Sequence, residues 1–208
     1  MNRVETLGLI VAGGVGRRLG AGVPKAAARL GGCTLLERAV ATLRPICDAV
    51  VVAAPAGLML PEAGVPRVDD APGGAGPLAG LVAGLAARAH RIAIVLGVDF
   101  PLMRTAALAA LRDARGAHPA VVPEPGGVPQ PLAAVYANAA AARLEAAWWA
   151  GERSVTAAAL ALGPSRPGDA ELEVLDGGLA NFFNLNTPAD LAEAGRRLAT
   201  RAAAGEEA

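Results

Sequence analysis

Short apolar runs alternate with longer Ala- and Leu-rich stretches along the chain. Leu7 to Val11 is apolar except at Gly8 and runs into Gly13-Gly14, a pattern that predicts a buried strand. Ala49 to Ala54 and Ile92 to Val98 are runs of the same kind and predict a second and a third strand. Arg67-Val68 predicts a very short strand ending at Asp69-Asp70. Thr34-Leu35-Leu36-Glu37 has capping-box spacing, so a helix begins there and stops before Pro45. Gly76 to Ala89 reads as a helix with Pro77 in its first turn. Arg104 to Arg115, Asn138 to Ala150, Ser154 to Leu162 and Pro188 to Ala204 also read as helices. Ala120 to Pro123 and Leu132 to Tyr136 read as strands around a turn at Pro125-Gly126-Gly127, and Glu171 to Leu175 as a late strand.

Strands alternating with helices predict an α/β fold: three layers, α/β/α, around a mostly parallel sheet. With no internal repeat and no long linker, the 208 residues predict one domain. Such sheets bind ligands beyond the carboxyl ends of their strands. Gly13 to Gly20, Asp69-Asp70 and Asp99 each follow a predicted strand, so three loops converge on one sheet edge.

Composition narrows the chemistry. Lys+Arg and Asp+Glu both number 19, and aromatics are 3%, which argues against a nucleic-acid coat or a base-stacking platform. No apolar stretch is long enough to predict a membrane span, and the N-terminus is a poor signal peptide, so the expectation is a cytoplasmic protein without a membrane or nucleic-acid partner. Cys33 and Cys47 lack metal-ligand spacing. Two serines outside G-x-S-x-G and two isolated histidines argue against a Ser/His triad or a zinc site. Eighteen of the cations are Arg, and the single ammonium is Lys25.

Lys25 closes the segment from Val11 to Lys25, which holds Gly13, Gly14, Gly16, Gly20 and Gly22. Without a Cβ, glycine lets backbone N–H groups line a phosphate, and Arg17, Arg18 and Lys25 add positive charge. Two familiar loops fail on the letters. G-x-G-x-x-G would need Gly where Leu19 stands, and the P-loop fails because Lys25 precedes Ala26.

The segment resembles the L-A-G-G-x-x-x-R-M-G-x-x-x-K signature of nucleotidyltransferases with the GT-A-like fold, and most closely that of the molybdenum cofactor guanylyltransferases. Five further motifs extend the resemblance in order: Gly76-Pro77-Leu78-Ala79-Gly80, Val98-Asp99-Phe100-Pro101, Gln130-Pro131-Leu132, Gly151-Glu152-Arg153-Ser154, and Phe183-Asn184-Leu185-Asn186-Thr187-Pro188, which resembles the family's F-x-N-x-N-T-P. It implies a Rossmann-like nucleotidyltransferase that transfers GMP from GTP to molybdenum-molybdopterin, releasing pyrophosphate. In that scheme residues 1–100 form a nucleotide-binding half, 101–204 an acceptor-binding half and 205–208 a frayed tail. Val11, Ala12, Gly13 and Gly14 line the nucleotide, Lys25 binds its phosphates and Asp70 contacts it. Asp99 holds Mg²⁺, Arg18 holds the departing pyrophosphate, and Gln130, Arg153, Asn184 and Asn186 are acceptor-binding candidates. Molybdoenzymes or other proteins of cofactor biosynthesis are expected transient partners. Gly13-Gly14 looks like the guanylyl branch, whereas Pro24, Val98 and Ala53-Ala54 depart from the family pattern. The alternatives are cytidylyl transfer to the same cofactor, guanylyl transfer to a cobamide precursor, and a nucleotide-binding accessory protein without turnover.

Overall fold

The computed structural model describes residues 4–13 and 24–205. Its main sheet has six strands in the order β5-β4-β1-β6-β8-β7. These are β1 (Val4–Val11), β4 (Ala49–Ala54), β5 (Arg67–Asp69), β6 (His90–Gly97), β7 (Ala120–Val121) and β8 (Ala133–Ala137). β5, β4, β1 and β6 run parallel, whereas β8 is antiparallel to both β6 and β7. A two-stranded hairpin, β2 (Arg29–Leu30) with β3 (Cys33–Thr34), lies apart and had no sequence signal.

Alternate residues of β1 feed two cores, as the period of a strand requires. Leu7, Leu9 and Val11 pack with α2 (Pro77–Ala86), α4 (Asn138–Trp149) and α5 (Val155–Leu160). Ile10 and Ala12 face the opposite cluster with α1 (Leu35–Leu43), α3 (Thr105–Asp113) and part of α7 (Pro188–Ala203). These are the three layers expected from the alternation. Gly84 brings α2 close to the sheet, because a Cβ there would overlap the Leu9 side chain.

Local caps act where the sequence places them. Thr34 and Glu37 exchange hydrogen bonds at the start of α1, and Ser154 accepts from the Ala157 amide at the start of α5. The segment Glu171 to Leu175 corrects the expectation of a strand: α6 (Asp169–Glu173) is a short helix. Glu-Leu-Glu-Val-Leu alternates like a strand, but the Glu171 carboxylate accepts from the Gly168 amide and caps a turn. That turn buries Leu172, and Val174 is left 83% exposed, so the period of two is not realised.

The chain leaves β1 toward β4 on one side and later places β6 on the other. The carboxyl ends of β1 and β6 therefore flank the point where strand order reverses. Backbone pairing continues past the strands there. The Ala12 amide donates to Ala53, Asp70 to Ala54, and Val98 to Val11.

Candidate active site

Lys25 sits in a single 3-10 turn, Lys25–Ala27, after the carboxyl end of β1. Its Nζ donates to the Leu185 carbonyl at 2.7 Å and to Asn186 Oδ1 at 3.0 Å, and lies 3.9 Å from Asp99 Oδ2. An ammonium has three N–H donors. Among the described residues two of them are taken, which leaves one donor for a ligand beside the Asp99 carboxylate.

Asp99 follows β6 by two residues. Its carbonyl accepts from the Leu185 amide at 2.8 Å, and its Oδ2 accepts from Asn184 Nδ2 at 3.3 Å. Asn186 Nδ2 donates in turn to Asn184 Oδ1 at 2.8 Å. The turn 184–186 thus joins the lysine of one strand end to the carboxylate of the next, reaching back 160 residues to Lys25 and 85 to Asp99. The start of α7 fixes that turn. Asp190 accepts from the Asn186 and Thr187 amides, and the Thr187 hydroxyl accepts from the Asp190 amide. These bonds hold the Asp190 carboxyl below its usual range, with a smaller contribution from Lys25. Asn184 and Asn186, expected from the resemblance as acceptor-binding candidates, are in contact with Asp99 and Lys25 respectively.

Gly97 makes room for the Asp99 carboxylate, since a Cβ there would overlap Oδ1. The Leu132 carbonyl accepts from the Gly97 amide at 2.6 Å, which sets the Gln130–Leu132 turn beside the same strand end.

Asp70 lies on the other side of β1, after β5. A Cβ on Gly13 would stand 3.9 Å from Asp70 Oδ2, and one on Gly80 3.1 Å from Oδ1. Asp70 Oδ1 is buried and has no hydrogen-bond partner among the described residues. Partial burial, reinforced by Asp69, pushes its carboxyl up to about 6, with Arg67 opposing. A buried acceptor without a donor is costly, so this carboxylate is suited to a ligand N–H or O–H.

The two carboxylates therefore differ in kind. Asp99 is held by Asn184 and faces an ammonium, whereas Asp70 is partly desolvated and unpaired on Oδ1. A cavity of about 520 Å³ between α7 and the 102–104 and 177–180 segments is lined by none of Lys25, Asp70 and Asp99.

The MobA-like NTP transferase domain matches residues 8–163. The chain belongs to that family. It is 38% identical over 192 residues to a "Probable molybdenum cofactor guanylyltransferase" of Chloroflexus aggregans, covering 88% of this chain and 90% of that one. It is 37% identical over 184 residues to the molybdenum cofactor guanylyltransferase of Pseudomonas syringae pv. syringae, covering 86% and 88%. The crystal structure of molybdopterin-guanine dinucleotide biosynthesis protein A from Archaeoglobus fulgidus superposes with a TM-score of 0.76 at 26% identity, over 93% of this chain and 99% of that one. A 2-C-methyl-D-erythritol 4-phosphate cytidylyltransferase from Thermus thermophilus shares the fold, with a TM-score of 0.68 at 24% identity over 94% and 98%.

Within this member of the family, Val11, Ala12 and Gly13 stand at the carboxyl edge between Asp70 and Asp99, as the reading of the loops requires. Gly14, Arg17 and Arg18 lie outside the described residues. Gln130 donates to the Val128 carbonyl at 3.2 Å. Arg153 lies on the Asp70 side, where its guanidinium donates to the Trp148, Glu152 and Gly73 carbonyls. No helix among the described residues is long and apolar enough to cross a membrane.

Proposed function

We propose that the protein transfers GMP from GTP to the phosphate of molybdenum-molybdopterin, giving the guanine dinucleotide cofactor and pyrophosphate. The observation that carries this reading is the Lys25–Asp99 pair at the strand-order reversal, in a chain whose relatives are named for guanylyl transfer. Joining two phosphates brings anions together, so catalysis rests on neutralising charge and aligning the groups.

Lys25 supplies a fixed ammonium for the nucleotide phosphates, and Asn186 and Leu185 keep it from swinging into solvent. Val11 to Gly13 line the nucleotide with main chain, and ionised Asp70 accepts a hydrogen bond from its sugar or base. Arg18, with Lys25, offsets the charge of the departing pyrophosphate. The acceptor phosphate is already an anion and needs no base to activate it. Gln130 stays a candidate acceptor contact beside β6.

A divalent cation fits at Asp99. The donor is a hard carboxylate oxygen on a strand end, Oδ1 is seated where a Cβ on Gly97 would stand, and no cluster of three or more His, Cys, Asp or Glu competes among the described residues. One protein carboxylate with phosphate and water oxygens suits Mg²⁺. When bound, the ion would neutralise developing phosphate charge. Asn184 would keep Asp99 aimed at it.

The test is pyrophosphate release with purified protein. Release is expected only when GTP, Mg²⁺ and molybdenum-molybdopterin are all present. GTP binding with no turnover under any of these conditions would replace the enzyme with a nucleotide-binding accessory protein.

A further inference from the structure

The loop from Pro72 to Gly76 joins Asp70 to the amino end of α2, on the nucleotide side of the site. Its sequence is Pro-Gly-Gly-Ala-Gly, and Gly73 and Gly76 have φ of +92° and +122°. Residues 72–75 are exposed. Glycine loses more backbone freedom on ordering than any other residue, so such a loop keeps one shape only if something outside it supplies the bonds.

The bonds come from the end of α4 and the turn after it. Trp148 is 1% exposed, and its Nε1 donates to the Pro72 carbonyl at 3.0 Å. The Arg153 guanidinium stacks on the Trp148 ring with its carbon 4.0 Å from the centroid. Arg153 Nη2 donates to the Gly73 carbonyl at 3.3 Å, and Nη1 to the Trp148 and Glu152 carbonyls at 2.9 and 2.7 Å. The Glu152 carboxylate accepts from the Arg153 and Ser154 amides, both at 2.7 Å, which fixes the turn carrying the arginine. The loop fits closely against this pair. A Cβ on Gly74 would stand 2.9 Å from the Trp148 ring and 3.3 Å from Arg153 Nε.

We propose that Arg153 is a positioning residue for the nucleotide side of the site. Stacked on Trp148, it clamps the glycine loop that follows Asp70 and so sets where the nucleotide is received. The described hydrogen bonds of its guanidinium all run to main-chain carbonyls, which gives it a role distinct from binding the acceptor. A planar fork over an aromatic face does this, and a lysine cannot reproduce it. The inference rests on the guanylyl-transfer reading only for the identity of the nucleotide.

The experiment uses the whole protein and three variants, Arg153→Met, Arg153→Lys and Gly74→Ala, each first checked for an unchanged fold by circular dichroism. GTP with Mg²⁺ is titrated by calorimetry without acceptor, and KM is then measured for GTP and for molybdenum-molybdopterin. Loss of the one charge-assisted bond that reaches the glycine loop, together with the stacking contact, predicts about a tenfold weaker GTP affinity in Arg153→Met. Arg153→Lys should not restore it. Gly74→Ala, which keeps every charge, should weaken GTP in the same direction, while the acceptor KM moves less than about twofold in all three. A raised acceptor KM with unchanged GTP affinity overturns the proposal, as does full rescue by lysine. If the wild type binds another nucleotide instead of GTP, the guanylyl reading fails. The same variants are then titrated with that nucleotide, where a tenfold loss supports the clamp and no loss overturns it.

Discussion

Lys25→Arg keeps the charge and removes the geometry. Lys25 Nζ reaches two oxygens at 2.7 and 3.0 Å and faces Asp99 Oδ2 at 3.9 Å, with its side chain 13% exposed. At an effective dielectric of ~20, a unit pair at that separation is worth about 4 kcal/mol. A guanidinium spreads its charge over a larger planar group. Moving the charge centre out by about 2 Å lowers a unit-charge interaction at that separation, and so that with a nucleotide phosphate, by about 1.4 kcal/mol. The planar fork also cannot satisfy Leu185 O, Asn186 Oδ1 and a phosphate with the tetrahedral set that the ammonium offers. Losing one charge-assisted bond adds about 1.5–3 kcal/mol. Together these predict kcat/KM for GTP down by about 10²-fold or more, at about 1.4 kcal/mol per factor of ten. The assay is steady-state pyrophosphate release, with thermal unfolding to show that the fold survives. Wild-type kinetics in a folded Lys25→Arg protein would refute the role given to the ammonium.

Three further outcomes follow from the geometry. Burial holds the Asp70 proton up to pH about 6, above its ordinary value of 3.8, so the folded state binds that proton more tightly than the unfolded state. Ionising Asp70 therefore costs stability as pH rises from about 4 through 6, and Asp70→Asn should raise Tm at pH 8 more than at pH 5 while weakening GTP binding; the opposite pH trend in differential scanning calorimetry would contradict this account of the carboxylate. Gly97→Ala drives a methyl into Asp99 Oδ1, so activity should fall sharply, and the Mg²⁺ concentration for half-maximal rate should rise; a simple loss of stability with an unchanged Mg²⁺ requirement would count against Asp99 as the metal ligand. Gly84→Ala overpacks α2 on Leu9 away from the site and should cost about 1–3 kcal/mol in denaturant unfolding, with the KM for GTP unchanged in the folded fraction.

Much of the fold was legible because local and global signals agreed. The capping box at Thr34, Pro77 in the first turn of α2 and the apolar runs of β1, β4 and β6 all read correctly, whereas the Thr187–Asp190 box at the start of α7 was seen only in the structure. The α6 segment misled because its letters alternate at a strand period, and only the Glu171 carboxylate closing on the Gly168 amide shows a helix. Within the site, Lys25, Asp70 and Asp99 were legible as polar residues after strand ends. The joining of Lys25 to Asn186 was not, because a contact across 161 residues leaves no local spacing. Nor could letters show that Asp70 Oδ1 is buried without a donor among the described residues, since that depends on Gly80 packing against Oδ1 and Gly13 lying beside Oδ2. Arg153 was placed by motif among the acceptor-binding candidates, and only the packing of Trp148 under the glycine loop sets it against Gly73, in the loop that follows Asp70.

The central claim is guanylyl transfer, and a competition between nucleotides tests it most directly. The protein is given molybdenum-molybdopterin, Mg²⁺ and equal concentrations of GTP and CTP, and the dinucleotide product is identified by mass spectrometry. The account predicts the guanine dinucleotide in large excess. A product that is mainly the cytosine dinucleotide would contradict it.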